Sequence, residues 1–469
     1  MGINREILRL AIPSILANIT VPIVGMVDIA VAGHLDPAGA ASAAALIGGI
    51  AIGTMLFDLL YWNFGFLRIG TGGLTAQAYG RDDMTASAGI LTRGIGIALA
   101  CAAIVIVLQS AFLKGAFLVV DCTPEVRELA TRYFSIRIWA APATLSLMAF
   151  KGWFIGMQDG ISPMVTDLVV NIMNTVLSII LALGMDAGTF SFRGMGFDGI
   201  AIGTVIAQYS GLASAIAICL SKYRRKVFSG FGISAVTGSF KGKETGRFFR
   251  MNADLFIRSL CFICIYIGFA TIAAHYGDLV LAAGPILMKI MMLFSYFTDG
   301  FAYAGEALTG RFIGCRDRMG FKDTVKWVFI WSMGIAVLFM VIYATAGDSL
   351  LRIMTSDKDV IDMSGHYLLW LLLMPVAGCA AFTWDGIYIG ATASKTMRNA
   401  MLWATAGFFA IWVAGRAACP GNGTGFSGAA ALHILLAAYF AHLIIRTAYL
   451  SAKYPSIISF QSPSGHKKP

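Results

Sequence analysis

Residues 10–32 read LAIPSILANITVPIVGMVDIAVA, 23 residues holding one formal charge, Asp28. An apolar run of this length matches a membrane-spanning helix, and it is longer than a typical core helix of a soluble domain. A carboxylate inside such a span is energetically expensive and marks a candidate functional position. The reading of this stretch therefore sets both the fold class and the first site to inspect.

Eleven further apolar stretches follow, near 40–67, 89–113, 126–149, 161–185, 197–220, 248–275, 279–308, 325–346, 361–389, 397–417 and 429–450. Each is long enough to cross about 30 Å of hydrocarbon at roughly 1.5 Å per residue. Composition agrees, with 58% hydrophobic and only 13% charged residues, against about 25% charged in an ordinary soluble domain. The expectation is an all-α polytopic membrane protein with twelve transmembrane helices. The first run is too long for the core of a signal peptide, so it is read as retained.

The net charge of +10 is a topology signal and not a nucleic-acid-binding surface. Its largest concentration is the gap after the sixth span, with Lys222, Arg224, Arg225, Lys226, Lys241, Lys243, Arg247 and Arg250 against one acid, Glu244. The gap after the eighth span adds Arg311, Arg316, Arg318, Lys322 and Lys326, whereas the alternate gaps are poor in basic residues. This bias places both termini in the cytoplasm.

The basic gap divides the chain into halves that resemble each other. Residues 74–80 (LTAQAYG) match 308–314 (LTGRFIG), and 152–156 (GWFIG) match 386–390 (GIYIG), both at an offset of 234. With an even number of spans in each half the repeat is parallel, an arrangement used by transporters. The expected organisation is a first lobe over 1–220, a cytoplasmic linker over 221–246, a second lobe over 247–451 and a tail over 452–469.

Asp28 is the leading candidate, because other polar residues fall at its level. It lies about 27 Å along its helix from Leu10. Asn171, Asn174 and Ser178 share one face of the fifth span by their spacing, and Ser178 lies roughly 26 Å above Ile161. Tyr133 in the fourth span and Thr204 in the sixth reach a comparable depth. A carboxylate, two amides and hydroxyls at one height form either an oxygen cage for a hard cation, with sodium at Asp28, or a protonatable cluster. Pro13 and Pro22 lie before Asp28 in the same helix, lack backbone donors and predispose it to bend. Lys289, deep in the eighth span, and Asp385 in the tenth are candidates for substrate or conformational roles. Asp254 and Arg258 in the seventh span are further candidates for such roles, and their i, i+4 spacing is expected to let them neutralise one another. The pair Cys261 and Cys264 reads as packing within the seventh span, and no disulfide is expected from Cys122 or Cys419.

Together these residues resemble the multidrug and toxic compound extrusion (MATE) family, in its DinF-like branch. The resemblance covers nearly the whole chain. Its most specific parts are 64–74 (FGFLRIGTGGL), 299–308 (DGFAYAGEAL), 385–392 (DGIYIGAT) and 256–261 (FIRSLC). It implies a V-shaped pair of six-helix bundles that export amphipathic, often cationic compounds against inward flow of protons or sodium ions. Asp28 falls on the family's first-helix carboxylate, Pro13 on the proline proposed to bend that helix, and Asn174 on the neighbouring amide. Tyr133 and Thr204 fall where its hydrogen-bonding partners lie. Ser178 stands where some members carry a second carboxylate, which leaves proton or sodium open as the coupling ion.

The implied partners are a small amphipathic substrate and membrane lipid, with no nucleic acid and no cofactor, and the chain is expected to act as a monomer in a bacterial inner membrane. The alternatives are a lipid or lipid-linked oligosaccharide flippase of the same superfamily and an integral-membrane transferase. The first would need a large cationic groove. The second would need a clustered motif, and the one close acidic pair, Asp82-Asp83, has no second Asp-rich partner segment.

Overall fold

The computed structural model describes residues 2–35, 42–118, 120, 122–186, 191–227, 243–355, 357–418 and 428–459. In hydrocarbon each backbone polar group must be satisfied within its own segment, so long apolar runs become helices. The helices are α1 (Ile3–Gly33), α2 (Ala43–Trp62), α3 (Phe66–Gly80), α4 (Met84–Ala116), α5 (Pro124–Arg137), α6 (Ala141–Gly156), α7 (Ile161–Leu183) and α8 (Phe197–Val227). After them come α9 (Lys243–Ala274), α10 (Asp278–Gly314), α11 (Arg318–Met354), α12 (Lys358–Gly365), α13 (Leu368–Gly390), α14 (Ser394–Ala418) and α15 (Gly428–Ser459).

Short 3-10 segments, Asn63–Gly65 and Ile138–Ala140, join α2 to α3 and α5 to α6. Each pair then reads as one long helical path, Ala44–Gly80 and Pro124–Gly156, and among the described residues eleven helical paths are long and apolar enough to span a membrane. With the 37-residue α10 they account for the twelve expected spans. A small antiparallel hairpin, β1 (Gly184–Asp186) with β2 (Ser191–Arg193), was not anticipated. It begins where Gly184 ends α7 at φ +86°, a left-handed conformation that glycine adopts without strain.

The chain forms two compact units, Leu16–Arg247 and Met1–Ile15 with Phe248–Pro469. The first fifteen residues thus group with the later helices, unlike the expected 1–220 lobe. Specific contacts explain this. Glu6 pairs with Arg311 at 2.9 Å, and Trp331 donates to Asn4 at 3.3 Å. Gly300 leaves room for Ile15, whose Cγ1 would lie 2.4 Å from a Cβ added there. The helix α1 runs without interruption past Pro13 and Pro22; the side chain of Pro22, the linker over 228–242, Cys419 and the tail from 460 lie outside the described residues.

The repeat reappears as matching local geometry inside each unit. A Cβ on Gly152 would lie 2.1 Å from the carbonyl of Arg68, and one on Gly386 would lie 2.0 Å from that of Ala302. Both pairs are related by the offset of 234. Left-handed residues follow the same rule, Asp82 (φ 57°) with Arg316 (φ 59°) and Gln158 (φ 62°) with Thr392 (φ 54°). Asp83 and Asp317 are matching N-caps that accept from the first turns of α4 and α11. The pair Asp82-Asp83 is therefore turn and cap.

Asp159, in the turn between α6 and α7, ties that turn to the end of α8. It accepts from Lys222 Nζ and Tyr223 Oη, each at 2.7 Å, and from the amide and hydroxyl of Ser162. Burial opposes its ionisation, but the hydrogen bonds from Lys222, Ser162 and Tyr223 outweigh it and hold its carboxyl below the ordinary value. A depressed folded pKa contributes stability above the unfolded value, near 4, which is lost as pH falls through the lower folded value. Asp159→Asn is expected to destabilise the purified protein by roughly 1–3 kcal/mol at neutral pH. In thermal unfolding scans its gap from wild type should close below about pH 4.

Candidate functional site

In the first unit Asp28 is 4% exposed and its Oδ1 accepts from Ser178 Oγ at 2.9 Å. One turn earlier on the same face of α7, Asn174 donates from Nδ2 to Thr204 Oγ1 at 2.8 Å, and Thr204 donates onward to the carbonyl of Ile200. That leaves Asn174 Oδ1 buried and, among the described residues, without a hydrogen-bond partner. Such an acceptor is rare in a folded protein and calls for a donor or a cation.

Close helix packing puts these groups together. Gly199 and Gly203 on α8 carry no side chain where α7 passes; a Cβ there would lie 2.4 Å from Leu181 O and 2.9 Å from Ser178 N. This small-xxx-small spacing lets the two backbones touch, which fixes Ser178 and Thr204 at neighbouring levels.

The other expected members are distributed more widely. Asn171 donates to Thr20 Oγ1 at 2.5 Å on α1, away from the carboxylate's own hydrogen bond. Tyr133 is fully buried and lies within electrostatic reach of Asp28, yet its hydroxyl accepts from Arg137 Nη1 at 3.1 Å. Arg137 also stacks over Phe57, 4.8 Å from the ring centroid, and its charge acts on Asp28. Arg137 was not among the expected site residues, and its i, i+4 spacing from Tyr133 is the sequence signal that could have found it.

The second unit corrects one expectation. Asp254 and Arg258 do not pair with each other. Asp254 uses both oxygens elsewhere, for Arg398 Nη1 at 2.6 Å and Ser394 Oγ at 2.9 Å. Arg258 pairs with Asp385 at 2.5 Å, and Arg446 approaches the same carboxylate at 3.3 Å. Both guanidiniums lie over Phe262, at 4.9 and 5.3 Å. An exposed i, i+4 pair contributes only about 0.3–0.5 kcal/mol, so better-oriented tertiary partners win. Arg446 and Arg398 were not anticipated, since their partners are remote in sequence. Lys289 is exposed on α10.

The MatE family profile matches residues 13–180 and 255–411. The chain belongs to the MatE family. It is 34% identical over 406 residues to DNA damage-inducible protein F of Escherichia coli, covering 86% of this chain and 84% of that one. It is 22% identical over 367 residues to a probable multidrug resistance protein NorM of Thermotoga maritima, covering 77% of this chain and 74% of that one. Its fold matches a crystal structure of MATE in the bent conformation with a TM-score of 0.81 at 15% identity, over 99% of this chain and 98% of that one. This MatE chain is thus a multi-pass membrane transporter and not an enzyme, which removes the transferase alternative.

Removing one partner from a buried ion pair strands the other charge and costs about 3–5 kcal/mol. Asp385→Asn, which leaves Arg258 and the fully buried Arg446 without their shared anion, is expected to lower the unfolding temperature clearly. Adding Arg446→Met should recover part of the loss in the same scans; an unchanged melt for the single variant would exclude this role.

Proposed function

We propose that the chain exports amphipathic small molecules across a bacterial inner membrane by alternating access, driven by inward flow of protons or sodium ions, with Asp28 carrying the coupling cation. The observation that carries this reading is the pairing of a buried carboxylate with a partnerless acceptor. Among the described residues Asp28 has one hydroxyl donor, Ser178, and Asn174 Oδ1 one turn away has none. Such a pair of acceptors suits a cation that arrives and leaves. Among the described residues no group of three His, Cys, Asp or Glu side chains is placed to hold a metal, so amide and hydroxyl oxygens would complete a sodium shell around Asp28.

With the cation bound, Asp28 is neutralised and the hydrogen bonds around α1, α7 and α8 rearrange; Pro13 and Pro22 make α1 the helix whose bend responds. One elementary charge crossing 100 mV supplies about 2.3 kcal/mol, enough for roughly fiftyfold accumulation. The distribution of basic residues supports cytoplasmic termini. The site lies within one chain, in keeping with a monomer surrounded by lipid. The name of the Thermotoga relative, a probable multidrug resistance protein, supports drug-like cargo. A flippase is disfavoured, because the deep cations are few and two of them, Arg258 and Arg446, are committed to Asp385.

Dye efflux from proteoliposomes under separately imposed proton and sodium gradients tests this. Asp28→Asn is expected to fold and insert normally and to lose gradient-driven efflux under both gradients. Wild-type efflux by that variant would overturn the reading. A proton needs only the carboxylate whereas sodium needs further oxygens, so Asn174→Val is expected to spare proton-driven efflux and abolish sodium-driven efflux.

A further inference from the structure

Lys289 stands apart from the other charges of the second unit. It is exposed, while Leu287, Met288, Ile290 and Met291 around it are buried. Among the described residues it has no ion-pair or hydrogen-bond partner. It lies eleven residues into α10, roughly 16 Å below the start of that helix and near the middle of a hydrocarbon core about 30 Å thick. At that depth an ammonium cannot snorkel to a headgroup, so an exposed one must face water.

The residues sharing its face agree. Met292, Tyr296, Asp299 and Tyr303 follow Lys289 at helical spacing, and all four are half-buried. This is a polar and aromatic stripe, unlike a lipid-facing one. Its acid does not neutralise Lys289. Asp299 lies ten residues on, roughly 15 Å along the axis, and its charge acts on Arg446. Arg258 and Arg446 are in turn balanced by Asp385 and Asp299. Lys289 is left as an uncompensated cation on a water-facing stripe.

We propose that Lys289 receives the carboxylate of an amphipathic cargo, whose apolar body lies along Met292, Tyr296 and Tyr303, so that the protein selects carboxylate-bearing or zwitterionic compounds over purely cationic ones. This rests on the export reading and specifies its substrate class. Met and Tyr side chains supply an adaptable apolar surface with polar tips, and the ammonium supplies an ion pair to a carboxylate that a cationic ester, lacking the negative charge, cannot form.

Fluorescence anisotropy on the full-length protein in lipid nanodiscs, with empty discs subtracted, compares rhodamine B with its ethyl ester, which differs in masking the carboxylate. Wild type is expected to bind rhodamine B more tightly than the ester. Lys289→Gln should weaken rhodamine B about tenfold and leave the ester unchanged, and Lys289→Arg should keep the preference. Equal affinity for the two dyes in wild type, no measurable binding of rhodamine B, or an unaltered preference in Lys289→Gln overturns the assignment. Loss of gradient-driven efflux with the carboxylate preference intact would overturn the coupling reading alone and leave this one standing.

Discussion

A carboxylate in a water-poor helix bundle is stable only while something offsets its charge, and for Asp28, among the described residues, that is the hydroxyl of Ser178 with the more distant charge of Arg137. The rest of the first unit is arranged around this constraint. Gly199 and Gly203 bring α8 against α7 so closely that Ser178 and Thr204 are fixed at adjoining levels. Thr204 then occupies the donor of Asn174 and leaves its oxygen without a partner. The result is a site that is held in place by backbone packing and only partly satisfied by hydrogen bonds. Partial satisfaction is what a reversible cation site requires, because a fully paired carboxylate would have no reason to take up an ion.

The second unit uses the same backbone plan with the opposite outcome. Its left-handed turns, caps and helix contacts repeat those of the first at a constant offset of 234 residues, yet the charges do not repeat. Asp385 occupies the position that corresponds to Lys151, and the two have different partners: Lys151 pairs with Asp167, and Asp385 is shared by Arg258 and Arg446. A Cβ at Gly152 or Gly386 would fall 2.1 or 2.0 Å from a carbonyl oxygen of the neighbouring helix, so glycine stands at this position in both halves. Side-chain charges at the same level meet no such steric limit, and each half carries its own set. Among the described residues, one half is left with an acid that lacks full pairing and the other with a cation, Lys289, that has no partner.

Much of the architecture was legible in the sequence because hydrocarbon imposes a length and a composition on each span, and because the repeat left matching strings such as LTAQAYG and LTGRFIG. The assignment of residues 1–15 was not legible: the contacts of Glu6 with Arg311 and of Ile15 with Gly300 join positions about three hundred apart. Within the site, Asn174, Ser178 and Asp28 could be placed at one depth by counting residues, since helical rise is nearly constant. Which donor faces which acceptor could not be read. Asn171, equally well placed by spacing, turns to Thr20, and Asp254 passes over its helical neighbour Arg258 for Arg398.

The sequence by itself determined that the chain crosses a membrane many times, that its halves are related, and that Asp28 is its most unusual charge. Those properties follow from local chemistry, because an apolar run, a helical period and a buried carboxylate each carry their cost wherever they occur. The tertiary structure alone decided which charges are paired. Arg446 is silenced by Asp385 and Lys289 is left exposed, although both are single cations in apolar helices. The difference is the rotation of each helix about its axis, which is set by packing against neighbours and leaves no mark in the spacing of residues.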